Sequence, residues 1–168
     1  TAVYLVEYGR GAFAKVVNRL LDSLHYGERW GRHWLDVVRY AESTANDANA
    51  VMRFAWRYRN YVIDAFNQDL PYDQFLIEQL AGDLLPNATV QQRLATGFLR
   101  NHMVIFEDGV IDEEYRDEYV ADRVATVGAV WLGQTLQCAR CHDHKYDPFR
   151  QRDYYRLYAF FNNVAEKG

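Results

Sequence analysis

Apolar residues recur at helical spacing along most of the chain, and this periodicity is what most restricts the possible fold. Between residues 13 and 24 they stand at i, i+3, i+4, i+7, i+8 and i+11, which is typical of one face of an amphipathic helix. Similar spacing returns at 30–41, 58–66, 94–99, 115–131 and 154–164. No stretch alternates polar and apolar residues over a useful length. The sequence therefore predicts an all-α fold of about seven helices.

Turn and capping residues divide this pattern into separate helices. Gly27 lies near the expected boundary between the first two, and small polar residues predict a loop over 43–53. Asp73 is expected to cap a short fourth helix. Thr89 and Gln92 form a capping-box pattern before the next helix, because each side chain can bond to the other residue's backbone N–H.

Length and charge restrict the class of protein. A chain of 168 residues predicts one domain, spanning 1–168, that buries its core without disulfide support. With a net charge of −4, the chain lacks the basic character of a nucleic-acid-binding protein. No apolar run reaches the roughly 18 residues that a membrane-spanning helix needs, so we expect no membrane span.

Cys138-Ala139-Arg140-Cys141-His142 is a C-x-x-C-H motif, the attachment signature of a c-type haem. Each thiol can add to one vinyl group of haem, and the histidine that follows can ligate the iron. These are the only two cysteines of the chain, so none remains for a structural disulfide. The motif predicts one covalent haem c, anchored by Cys138 and Cys141, with His142 as the proximal iron ligand.

Three other interpretations of the motif are possible. Together with His144, the motif offers four zinc ligands, but structural zinc sites usually join two separated pairs of ligands. A thioredoxin-type redox pair expects a βαβ context, which the helical pattern does not supply. The third is a pair of buried thiols without a cofactor. The haem interpretation is favoured over all three.

The place of the motif in the chain also carries information. In ordinary small cytochromes c it stands near the N-terminus, whereas here it follows about five predicted helices. We therefore do not expect the ordinary small cytochrome c fold. The sequence begins at Thr1, and haem c attachment normally implies export. We expect a periplasmic or otherwise exported protein whose targeting segment was removed or lies upstream; an excised module of a larger protein is equally compatible.

The sixth iron ligand is not fixed by the motif. Met103 and His102 stand together in a predicted loop, and a thioether would give a higher reduction potential than a second imidazole. An empty distal position is the other alternative. His144 follows His142 too closely to reach the opposite haem face with ease. We expect it to bond a propionate or a small ligand, or to act as an alternative metal ligand.

Charged residues flank the motif on both sides. Arg140 and Lys145 are candidates to bind the haem propionates, because those carboxylates need cationic partners; a solvated basic face that includes Arg150 and Arg152 is the alternative. Acidic residues collect between Glu107 and Glu118. They suit the positive end of a helix dipole, with a calcium site or a docking patch for a basic partner as the alternatives.

Three longer segments of the chain form extended motifs: Tyr26–Asp36, Asp73–Phe75 with Glu78–Pro86, and Cys138–Pro148. Together they resemble a known family, the planctomycete-type cytochrome c-like domain. The resemblance runs from about residue 11 to 164. It implies export, a haem-binding motif and a large parent protein, in which the domain often follows an ordinary cytochrome c domain. It also implies that His33, His144, Lys145 and Asp147 belong to recurring motifs, while Glu107-Asp108-Gly109 departs from the Glu-Gly pair usual in the family.

These observations lead to three functional hypotheses. The favoured one is a monohaem c-type cytochrome domain that passes electrons to a redox partner protein or a neighbouring cytochrome domain. The second is a haem enzyme with an open distal site, in which His102 or His144 would be the acid–base group acting on peroxide or another small oxidant. The third is a zinc-stabilised interaction module.

Overall fold

The computed structural model describes residues 11–44, 49–105 and 108–164, and over these residues the fold is all-α, as the periodicity predicts. Its seven α-helices in the described segments are α1 (Ala12–Leu21), α2 (His25–Val37), α3 (Trp56–Asn67), α4 (Tyr72–Ala81), α5 (Val90–Ala95), α6 (Asp112–Val127) and α7 (Gln151–Phe161). Short 3₁₀ turns lie at Gly82–Leu84, Thr96–Arg100 and Leu136–Arg140, and a π turn at Gly128–Leu132. Within the same residues, β-type pairing is limited to one isolated bridge between Ser43 and Val51.

The helix boundaries agree in part with those predicted. Pro71 occupies the N-cap position of α4, so Asp73 lies in the first turn and the prediction that it caps this helix is wrong. Gly27 is the third residue of α2 and so lies near the boundary between the first two helices, as predicted. The capping box is confirmed, since Thr89 Oγ1 accepts from Gln92 N at 3.2 Å and Gln92 Oε1 from Thr89 N at 2.9 Å. Positions 45–48 of the predicted loop lie outside the described residues.

The chain divides into two compact units. The first comprises Thr1–Asp36 and Trp56–Thr96, and the second Val37–Ala55 and Gly97–Gly168. The helices α1 to α5 thus belong to the first unit, apart from the last residue of α2, and α6 and α7 belong to the second. That the whole chain forms one domain stays a prediction.

A polar network lies within the core of the first unit. The indole Nε1 of Trp34 donates to Gln79 Oε1 at 3.1 Å, and the Tyr58 hydroxyl donates to the same oxygen at 2.5 Å. Tyr61 donates to Glu78 Oε2 at 3.0 Å. Gln79 and Glu78 are both buried, so these bonds satisfy polar groups that would otherwise destabilise the core. The network fixes α4 against α2 and α3.

The second unit supports the C-x-x-C-H segment. Its buried residues lie mainly on α6 and α7 and in the segment between them; they include Tyr119, Val120, Val124, Val127, Leu136, Ala139, Tyr154 and Phe161. A Cβ on Gly128 would lie 2.7 Å from Leu136 Cγ, so the missing side chain lets Leu136 pack closely after the π turn. This packing holds the residues directly before Cys138.

Candidate functional site

The C-x-x-C-H motif lies on the 3₁₀ turn Leu136–Arg140 and the residues directly after it. Residues three apart fall on the same side of a 3₁₀ helix, which has three residues per turn. Leu136 and Ala139 therefore point inward, at 4% and 1% exposure, while Cys138 and Cys141 are both exposed and unbonded to each other. Backbone N–H groups of Cys141 and His142 bond to Cys138 O at 3.3 and 3.4 Å. The turn thus presents two free thiols at its surface.

The imidazole of His142 is oriented by a local hydrogen bond. Its Nδ1 lies 2.8 Å from the carbonyl oxygen of Asp143, which can only accept, so Nδ1 carries the proton. The lone pair of a neutral ring then lies on Nε2. No residue in the described ranges hydrogen-bonds to Nε2, and His142 is exposed. The sequence therefore yields an imidazole whose Nε2 can ligate a metal.

His144 has a different environment from His142. Its side chain is only 7% exposed, and its Nδ1 accepts from Asp147 N at 2.9 Å and lies 3.3 Å from Tyr146 N. Its own backbone N–H donates to Phe149 O at 2.8 Å. His144 thus closes the loop that follows the motif, and its predicted contact with a propionate or a metal stays a prediction.

Arg140 is bound by two carboxylates of α6. Its Nη1 and Nη2 form a fork on Glu118, at 2.9 Å to Oε2 and 2.6 Å to Oε1, and Nη2 also donates to Asp117 Oδ2 at 2.8 Å. Hydrogen bonding to Arg140 lowers the pKa of Glu118, and hydrogen bonding to Glu118 raises the pKa of Arg140. The sequence does not indicate this contact: the acidic run suits the helix dipole, a calcium site or a docking patch, and none of these pairs it with Arg140.

The same acidic run has two parts in the structure. Asp112, Glu113 and Glu114 occupy the first turn of α6, as the dipole argument predicts. Asp117, one turn further along, accepts hydrogen bonds from both Arg140 and the hydroxyl of Tyr158 on α7. Glu107, which the sequence placed at the start of the run, lies outside the described residues. The second part of the run therefore connects α6 to the motif and to α7.

Tyrosines of α7 lie beside the motif. The Tyr155 hydroxyl donates to Arg140 O at 3.1 Å. Tyr154 is 2% exposed, burial raises its pKa to about 12, and its hydroxyl has no hydrogen-bond partner among the described residues. Such a hydroxyl marks either a destabilising feature of the fold or a place where a further group completes the bonding.

The other cation of the segment, Lys145, is exposed. Its Nζ lies 5.0 Å from the centre of the Tyr146 ring, and that ring is itself 82% exposed. No carboxylate of the described residues lies within ion-pair distance of Lys145. Unlike Arg140, this side chain is free to meet an anionic group at the surface.

The two candidates for the distal ligand differ in availability. His102 is buried, with Nε2 2.8 Å from Arg123 Nη2 and Nδ1 3.0 Å from Met103 O, so both ring nitrogens are engaged. Met103 is 55% exposed. Ligation through Nε2 of His102 would therefore need its hydrogen bond to Arg123 to break, whereas the Met103 thioether is accessible.

The described part of the chain contains neither a cluster of metal-ligating side chains nor a membrane-spanning helix. No group of three or more His, Cys, Asp and Glu side chains is placed there to hold a metal ion. None of its helices is both long and apolar enough to cross a membrane.

Comparison with known families assigns the chain to a group. The model of PSCyt2, described as a protein of unknown function (DUF1549), matches residues 3–166. The chain belongs to the PSCyt2 family. No curated protein and no solved structure matches it. The match confirms the resemblance at the level of the family. The cytochrome-like nature of the PSCyt2 domain stays a prediction.

The residues of this PSCyt2 domain fit a covalently attached haem. Two unpaired thiols lie on one exposed turn, and His142 offers Nε2 of a neutral imidazole. Thioether bonds need accessible thiols, and iron needs an unprotonated nitrogen. The geometry therefore matches the donor set of the motif, although Arg140 is already bound to carboxylates.

Proposed function

We propose that this PSCyt2 domain is a c-type cytochrome domain that carries one haem and transfers electrons. Cys138 and Cys141 hold the haem through thioether bonds, and His142 ligates the iron through Nε2. The observation that carries the proposal is the His142 ring, whose Nδ1 bonds to Asp143 O beside two exposed thiols. The bound haem would supply reversible one-electron chemistry at its iron.

The protein's own residues have two tasks in this proposal. The Asp143 carbonyl holds the His142 ring in one tautomer and orientation, which raises its basicity as a ligand. The half-exposed ring of Tyr155 and the exposed ring of Tyr146 offer apolar surface close to the motif. Covering part of a haem with such rings lowers its exposure to water and thereby tunes its potential.

For the sixth ligand, we propose Met103 in preference to His102. The Met103 side chain is exposed, whereas both nitrogens of His102 are engaged within the fold. Methionine ligation favours a high-potential electron carrier. An open sixth position would instead suit the alternative of a haem enzyme acting on a small oxidant.

Export and a redox partner complete the proposal. Haem c attachment normally follows export, so we place the protein in the periplasm or another exported location. The partner would be a redox protein or a neighbouring cytochrome domain that exchanges single electrons with the haem.

Haem content tests the proposal directly. The full chain would be produced in a host competent in cytochrome c maturation, and its absorption spectrum taken with and without dithionite. We expect a sharp reduced α-band and haem that survives acid–acetone extraction, with a pyridine haemochrome ratio near one haem per chain. A six-coordinate low-spin spectrum supports electron transfer, and a high-spin spectrum that responds to peroxide supports the enzyme alternative.

Three variants make the test specific. Cys138→Ser with Cys141→Ser should abolish covalent haem, and His142→Ala should change the spectrum by removing the proximal ligand. His33→Ala is the matched control, because His33 is an exposed histidine of the first unit, and it should load haem normally. Wild-type protein that lacks a Soret band, and that contains zinc on metal analysis, would refute the haem proposal in favour of the zinc module.

A further inference from the structure

We propose that Arg140 is a positioning residue that holds the C-x-x-C-H turn against α6, through a contact that we name the lock, and that it does not bind a haem propionate. Lys145 is then the cation of this segment that meets the propionates. The inference rests on the proposed haem function, since a propionate is present only with haem. It replaces the sequence-based expectation that both cations have the same role.

The side chain of Arg140 is committed to two carboxylates. Three hydrogen bonds of 2.6–2.9 Å join its terminal nitrogens to Glu118 and Asp117, and its side chain is 28% exposed. The fork on Glu118 is the bidentate geometry that makes arginine–carboxylate pairs specific. One guanidinium and two carboxylates leave a local charge of about −1, so a propionate would be repelled instead of attracted.

Asp117 is itself held in place. It accepts from the Tyr158 hydroxyl on α7 as well as from Arg140, and burial together with this hydrogen bond raises the pKa of Tyr158. Asp117, one of the acceptors in the lock, therefore joins α6 to α7. A propionate that displaced Asp117 from Arg140 would have to disturb this second contact too.

The main chain of the same residue is bound on its other side. The carbonyl oxygen of Arg140 accepts from Gln151 Nε2 and from the Tyr155 hydroxyl, each at 3.1 Å. Gln151 N in turn donates to Asp143 Oδ1 at 2.9 Å. Side chain and main chain of Arg140 thus fix the turn to α6 and α7 respectively. This arrangement sets the direction in which Cys138 and Cys141 present their thiols, which is the requirement for attachment to a rigid, flat group.

Lys145 meets the opposite conditions. It is exposed, contacts the Tyr146 ring at 5.0 Å, and has no carboxylate of the described residues within ion-pair distance. It lies three residues beyond His142, on the loop that His144 closes. Its ammonium is therefore available to an anion near the proximal side of the motif.

Amide hydrogen exchange of the haem-free chain, with both thiols reduced, tests the lock without any cofactor. Arg140→Gln and Glu118→Gln should each speed exchange in residues 136–142 by about three- to tenfold, because charge-assisted hydrogen bonds hold this turn closed. The double variant should add little to Arg140→Gln, since that substitution already removes the contact with Glu118. Lys145→Gln is the matched control and should leave exchange unchanged. Unchanged exchange in Arg140→Gln would overturn the lock.

Haem loading of the same variants separates the lock from the propionate role. With a maturation-competent host, the lock predicts a loss of covalent haem yield in both Arg140→Gln and Glu118→Gln, and a normal yield in the control Lys15→Gln, which changes an exposed lysine of α1. The reduction potential should fall in Arg140→Gln, rise in Glu118→Gln and fall in Lys145→Gln, because added negative charge favours ferric haem. Normal yield in Glu118→Gln with equal losses in Arg140→Gln and Lys145→Gln would instead assign both cations to propionates.

The two proposals fail in different ways. Wild-type chain that acquires no covalent haem refutes the cytochrome function, and the propionate assignment of Lys145 with it. The exchange data then still decide whether Arg140 locks the turn. Fast exchange of residues 136–142 in a wild-type chain that does acquire haem refutes the lock and leaves the cytochrome function standing.

Discussion

Two glycines of α2, Gly27 and Gly31, are predicted to change the stability of the fold in opposite directions when each is replaced by alanine. They lie one helical turn apart and are both buried. A Cβ at position 27 would lie 2.3 Å from Ile63 O and 2.7 Å from Asn67 Cγ. A Cβ at position 31 would lie 3.4 Å from Ile63 Cγ1, at the edge of ordinary van der Waals contact. The difference arises because the first neighbour is a backbone oxygen and the second is a side-chain methylene.

The expected changes in the free energy of unfolding follow from three contributions. Alanine is favoured over glycine in a helix by about 1 kcal/mol, and this applies at both positions. At position 27, separating α2 from α3 by about 1 Å costs about 1–3 kcal/mol in lost packing. The displaced Asn67 side chain also gives up its hydrogen bonds to Gly27 N, at 2.8 Å, and Leu24 O, at 3.0 Å, worth about 1 kcal/mol each. Gly27→Ala should therefore destabilise the fold by about 2–4 kcal/mol, and Gly31→Ala should stabilise it by about 0.5–1 kcal/mol.

Urea unfolding followed by circular dichroism and tryptophan fluorescence measures both changes. Each variant serves as the control for the other, because the helix, the burial and the substitution are the same. Equal destabilisation by the two variants would mean that α2 tolerates no side chain on this face at all. A Gly27→Ala variant as stable as wild type would refute the argument from close approach.

Three further predictions concern the fold and the carboxylate–arginine contact. Gly82→Ala should destabilise by about 1–3 kcal/mol in calorimetry, because its Cβ would lie 2.1 Å from Gln92 O. Tyr154→Phe should be neutral or stabilise by up to about 2 kcal/mol in urea unfolding, since it removes a buried hydroxyl without a described partner; a loss of more than about 1 kcal/mol would contradict this. Because Arg140 lowers the pKa of Glu118, their contact should stabilise the fold above the ordinary glutamate pKa of about 4.3 and lose effect as the pH falls through the lowered value. The stability difference between wild type and Arg140→Gln, at most about 1 kcal/mol for these half-exposed carboxylates, should then be constant above about pH 5 and shrink below pH 4.

Helix content was predictable from the sequence because apolar residues follow the 3.6-residue period, although α1, which has this period too, buries none of its residues. The faces of α3 and α6 expected to be buried are largely buried in the structure, including Tyr58, Tyr61 and Val62 on α3 and Val120 and Val124 on α6. Helix ends were less predictable. At α4 the fixed φ of Pro71 sets the N-cap, which an acidic residue two positions later suggested only indirectly.

The presence of Gly27 within α2 shows a different limit of sequence patterns. A glycine inside a helical pattern suggests a boundary, because it lowers helix propensity. Here it is required for the approach to Ile63 O on α3, a contact 36 residues away in sequence. Such long-range contacts leave no periodic signal in a single sequence.

The residues of the candidate site come from the sequence motif and stay a prediction, whereas their contacts come from the structure. The C-x-x-C-H spacing indicates two thiols and an imidazole, and in the structure both thiols are exposed and free. It did not indicate that Arg140 binds Asp117 and Glu118, which precede it by more than 20 residues. A cation at the motif suggests a partner for an anionic ligand, whereas in the fold the Arg140 cation holds the motif in place.

The polar residues of the segment that follows the motif are engaged in contacts within the fold. Asp143 caps the start of α7, and His144 accepts from the backbone of its own loop. Both are therefore occupied in shaping the segment. Two thiols and Nε2 of His142 remain exposed and unbonded within the described part of this segment. The fold thus holds the neighbouring Arg140, Asp143 and His144 in internal contacts and leaves two sulfurs and one nitrogen unbonded, the donors that the proposed covalent haem would use.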